Sequence, residues 1–68
     1  MFITYASALE EALESWRLAS QVVDARWDAF VHAESDTRRA AFALYLAALD
    51  AEQAAAEDLE VVARRRAA

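Results

Sequence analysis

Residues 40 to 49 read Ala40-Ala41-Phe42-Ala43-Leu44-Tyr45-Leu46-Ala47-Ala48-Leu49, ten positions without a charge. At 3.6 residues per turn this is about three turns of helix that are apolar on every side, and such a helix must be covered on more than one of them. A single neighbouring helix covers one side only. The stretch therefore asks for a partner within the chain and for a second one beyond it.

The first partner lies upstream. Phe2, Leu9, Trp16, Val23 and Phe30 recur every seven residues, flanked by Tyr5, Ala12 and Ala19 and by Ala6, Leu13 and Trp27. That is one broad apolar face on a helix of about 40 Å, at 1.5 Å per residue. Only Ser20 and Arg26 interrupt it. The start of this helix is ambiguous: Thr4 has a capping side chain, and Ser7 followed by Glu10 has capping-box spacing, which would leave Phe2, Ile3 and Tyr5 as an extended arm.

Continuing the stripe by sevens from Phe30 lands on Thr37, Leu44, Ala51 and Asp58, whereas the large apolar residues downstream are Phe42, Tyr45, Leu49, Leu59 and Val62. The phase is lost between the halves, and His32 to Thr37 supplies residues that favour helix ends over helix interiors. The reading is an all-α, antiparallel two-helix hairpin over residues 1–68, with helices at about 4–32 and 37–65 and a turn at about 32–36. Ala41, Phe42, Tyr45, Ala48, Leu49, Ala55, Ala56, Leu59, Val62 and Ala63 should face inward. Opposed positions should total about 68 in residue number, placing Val23 against Tyr45, Leu9 against Leu59 and Trp16 near Glu52.

With 68 residues and no Cys, Gly or Pro, the chain has neither disulfides to staple a small fold nor the residues that make β-hairpin turns. Self-association into a four-helix bundle is the expected remedy, a homodimer above all. Leu44 and Leu46, read as an exposed strip with Ala40, Ala43 and Ala47, would contribute on the order of 6 to 12 kcal/mol per dimer before association entropy is subtracted. Every base other than His32 is Arg, and seven arginines against twelve acids leave a net charge of −5. That balance repels a phosphate backbone, so nucleic acid is not an expected partner. Met1 to Thr4 lacks a basic n-region and runs into Glu10 and Glu11, so neither a signal peptide nor a membrane span is expected and the chain reads as cytoplasmic.

Candidate partner-contacting residues are Trp16, Trp27, Phe42, Leu44, Tyr45, Leu46 and Leu49, the two tryptophans lying about 20° apart in phase at 3.6 residues per turn. Their plain role is core packing. Glu10, Glu11 and Glu14 should come alongside Glu57, Asp58 and Glu60. A solvated acidic face accounts for them, because the inward Glu-x-x-His pattern of a carboxylate metal bundle is missing and His32 lies at the other end. Arg38 and Arg39 sit in the first turn of the second helix, where the dipole disfavours cations; Arg64, Arg65 and Arg66 sit in the last, where it favours them. These arginines are the candidate contacts for an anionic partner. No Gly-rich loop and no Ser-His-acid spacing accompanies His32, so the chain is read as non-enzymatic, without cofactor or metal. A protein–protein interaction or adaptor module is the leading function. A small regulator touching nucleic acid or a nucleic-acid-bound machine through the arginines comes next, and a metal-carrying bundle last.

No family motif is matched. In outline the pattern resembles short helical hairpins that dimerise into four-helix bundles, such as the plasmid copy-number RNA-binding hairpin, a likeness that implies architecture and not function. In helix length it is also similar to secreted WXG-type hairpins, but Trp16 is followed by Arg17 and Leu18, with no Gly.

Overall fold

The computed structural model describes residues 5–67, without the side chains of Tyr5, Ala6 and Arg66. Phe2, Ile3 and Thr4 lie outside the described residues; Tyr5 is already helical, so Ser7 does not cap α1 and Tyr5 is not part of an arm. Two helices, α1 (Tyr5–Val31) and α2 (Arg38–Ala67), pack against each other as a hairpin measuring 50 × 19 × 16 Å.

The reversal is made without any positive φ among the described residues. The Ala33 N–H donates to the Phe30 carbonyl (3.2 Å) and the Thr37 N–H to the Glu34 carbonyl (3.0 Å), two i→i−3 turns in succession. Thr37 then begins α2, its carbonyl accepting the Ala41 N–H at 3.0 Å. Its hydroxyl points back to donate to the Glu34 carbonyl at 3.2 Å, and Arg38 reaches across to donate to the Ala33 carbonyl at 3.2 Å. Carbonyls beyond the end of α1 thus find donors from the start of α2, so a glycine is not needed to close the loop.

Three cross-helix contacts fix the register. The rings of Phe30 and Phe42 lie 5.3 Å apart, those of Trp27 and Tyr45 5.1 Å apart, and the Ser20 hydroxyl donates to the Glu52 carboxylate. The paired numbers (30 with 42, 27 with 45, 20 with 52) total 72, so the sequence expectation of about 68 is off by one helical turn. Ser20, not Trp16, stands opposite Glu52, and Trp27, not Val23, meets Tyr45. The helix limits at the turn differ from those expected by a single residue, so the level is set by the contacts across the seam and not by the length of the loop.

This register explains why Ser20 interrupts an apolar stripe. Ser20 and Glu52 are both half-buried, and each supplies the partner that the other needs at a site only partly open to water. The remaining seam is apolar. Leu9, Trp16, Val23 and Phe30 of α1 and Ala41, Tyr45, Leu49, Ala55, Ala56, Leu59 and Val62 of α2 are half-buried along it. Phe42 and Ala63, also expected inward, are exposed; Phe42 leans on Phe30 from the edge of the seam.

Ala48, 6% exposed, is the one buried residue among those described. Two helices alone shield each other along one line, so a residue as small as alanine on that line can be enclosed while larger neighbours keep an open edge. Among the described residues no helix is long and apolar enough to cross a membrane.

Candidate interaction surfaces

A right-handed helix advances clockwise as it recedes from the observer, so α1 and the returning α2 wind in opposite senses when viewed from one end. Residues displaced the same way from the inward line of their own helix therefore share one side of the hairpin. Counted from Glu52 at 3.6 residues per turn, Leu44 lies roughly 80° to one side and Leu46 roughly 120° to the other. Both are exposed, at 48% and 45%, but they do not form one strip. Residues two apart on a helix cannot, which corrects the sequence expectation. Each is also already about half covered, so burying what remains is worth roughly half of the 1.5 to 3 kcal/mol assigned to a whole leucine.

Leu44 shares its side with Ala47 and Ala51 of α2 and with Leu18 and Val22 of α1, all exposed. The Leu18, Val22, Ala25, Ala29 spacing of four, three and four is a second apolar stripe on α1 that the sequence reading passed over, because the longer seven-residue repeat dominates the same segment. Alanine is the commonest residue on this side.

The other side is apolar only near the turn. There Trp27, Val31, Phe42 and Leu46 are 42 to 53% exposed. Beneath them the rings of Trp27, Phe30, Phe42 and Tyr45 close a circuit, with Trp27 5.5 Å from Phe30 and Phe42 6.2 Å from Tyr45. Tilted arrangements of this kind suit ring quadrupoles and hold the cluster rigid. Farther from the turn Arg17, Asp24, Gln53 and Glu60 occupy this side, all exposed. Of the remaining candidates, Trp16, Tyr45 and Leu49 are half-buried in the seam, where they serve the hairpin itself.

The arginines fall into two separate groups. Arg38 and Arg39 stand at the turn, while Arg64 and Arg65 are about 40 Å away at 1.5 Å per residue of α2. Arg38 is engaged with the Ala33 carbonyl and Arg64 with the Glu60 carboxylate. The side chain of Arg66 lies outside the described residues. Glu10, Glu11, Glu14, Glu57, Asp58 and Glu60 are all exposed, and among the described residues no three His, Asp or Glu side chains gather where they would hold a metal. Glu57 accepts from the Gln53 amide at 3.3 Å. The shallow depression edged by Glu10, Glu11, Glu14 and Arg17 belongs to α1 alone and is an open surface. His32 closes off α1: its Nδ1 lies 2.8 Å from the Asp28 carbonyl and 3.3 Å from the Asp28 carboxylate.

Comparison with protein-family models, with curated proteins and with solved structures finds no match to this chain.

Proposed function

We propose that this protein is a non-enzymatic interaction module whose working form is a homodimeric four-helix bundle. The observation that carries the reading is the imbalance of burial. Among the described residues one alanine is buried, while Leu18, Val22, Trp27, Val31, Phe42, Leu44, Leu46 and Val61 are each at least 42% exposed. A chain of this size gains little from so thin a core, and a surface with that much exposed aliphatic and aromatic area marks an association site. A second hairpin is the simplest cover, because each copy supplies what the other lacks.

Light scattering and circular dichroism over a concentration series test it. A dimer mass at micromolar concentration is expected, with a melting temperature that rises with concentration because folding and association are linked. A monomer with a concentration-independent melting temperature would overturn the reading.

A further inference from the structure

Resting on the homodimer reading above, we infer which side the second copy covers and how it lies. It docks on the side bearing Leu18, Val22, Leu44, Ala47 and Ala51, with the two α1 helices antiparallel and the two turns at opposite ends of the bundle. Three observations lead there.

The first is area. Each partner contributes about 800 Å² to a standard stable interface, and the hairpin is 50 Å long but only 16 to 19 Å across. Only a match over the full length reaches this figure. The aromatic side offers apolar surface at the turn end alone, and a second copy lying along it would desolvate Arg17, Asp24 and Glu60.

The second is small size. Alanine, the commonest residue on this side, lets two hairpins approach until their backbones nearly touch, and Leu18, Val22 and Leu44 supply the bulk to interlock.

The third is charge. On this side α2 carries Asp58 and Arg65, toward the end away from the turn, and α1 carries Glu11 and Arg26; all four are exposed, and neither Glu11 nor Arg26 forms an ion pair with a described residue. Fifteen residues apart on one helix, they are separated by about 22 Å and cannot meet within a chain. Their midpoint falls between Leu18 and Ala19. Two α1 helices laid antiparallel about that midpoint bring Arg26 of each copy to Glu11 of the other, twice. The same placement sets Val22 near the partner's Ser15 and Leu44 near the partner's Val62.

Charge exchange tests the arrangement. Arg26→Glu and Glu11→Arg, singly, are each expected to weaken dimerisation at least about fivefold, and the double exchange to restore it to within about twofold, in sedimentation equilibrium at low salt. No contact within one chain produces that rescue. Leu44→Glu, and Ala47→Arg, which removes no apolar side chain from the seam, should both give monomer, while Leu46→Glu should leave the dimer within about threefold. A spin label on Ser35→Cys, unique because the chain has no Cys, should report a separation near the 50 Å length of the molecule. Turns at one end would instead put the labels within about 30 Å, since neighbouring helices pack 8–10 Å apart. That short distance, a double exchange that fails to rescue, or a dimer broken by Leu46→Glu and not by Leu44→Glu would overturn this inference and leave the homodimer standing. A wild-type monomer would remove both.

Discussion

The Ser20–Glu52 hydrogen bond offers the sharpest test of the hairpin register. A hydrogen bond to a charged group contributes about 1.5 to 3 kcal/mol, and because both residues are half-buried, water competes for the carboxylate and reduces this to about 1 kcal/mol. Ser20→Ala removes the donor and Glu52→Ala the acceptor, and each also changes helix propensity, in both cases toward a better former. A double-mutant cycle cancels those separate effects and leaves the coupling. We expect about 1 kcal/mol, read as roughly 4 to 8 °C of melting temperature for a domain of 60 to 100 residues. Circular dichroism melts of the four proteins must be run at one protein concentration, because association shifts the midpoint. The register in which Trp16 faces Glu52 moves Ser20 a full turn away, beyond hydrogen-bonding reach. A coupling under about 0.3 kcal/mol, within the usual error of additivity, would therefore refute the register as well as the bond.

Two further outcomes follow from the seam. Phe30→Ala should cost about 2 kcal/mol in urea unfolding, since it empties a half-buried site and removes ring contacts to Trp27 and Phe42. Val31→Ala, one residue on and 53% exposed, should change stability by less than about 0.5 kcal/mol. Ala48→Leu should destabilise by about 1 to 3 kcal/mol, because this position, the one enclosed among the described residues, has no room for extra methyl groups. A neutral or stabilising result in the same unfolding assay would mean that the seam is loose at its centre.

The hairpin was legible in the sequence because periodicity encodes direction. A seven-residue repeat on α1 and a stripe of different phase on α2 require the chain to reverse between them, and Leu9, Trp16, Val23 and Phe30 do lie along the seam. Periodicity carries no information about level. Sliding one helix past the other by a full turn leaves every apolar residue on its proper face, so the stripes alone admit pairings totalling 68 or 72 alike. What selects between them is the polar insertion, where Ser20 and Glu52 are satisfied together in only one register, and the ring pairs beside the turn. Part of the signal was present: Ser20 on the inward face of one helix and Glu52 on that of the other each need a polar partner, and only one level supplies both.

The candidate surface was harder to read for a geometric reason. In a ten-residue stretch without charges every position looks equally in need of cover, and adjacency in sequence made Leu44 and Leu46 look like neighbours. On a helix they point to opposite sides. Once separated, each leucine finds different company: Leu46 joins the rigid aromatic circuit at the turn, and Leu44 joins the alanine surface continued on α1 by Val22 and Leu18. The two sides differ in what they are built to meet. A long surface rich in small residues is complementary to another of its kind, so it suits an identical copy and extends over the whole hairpin. A compact cluster of large rings exposed at one end fits a pocket, which this hairpin itself does not offer. Covering the first by self-association leaves the second free toward both ends of the bundle, about 30 Å apart at 1.5 Å per residue of α1.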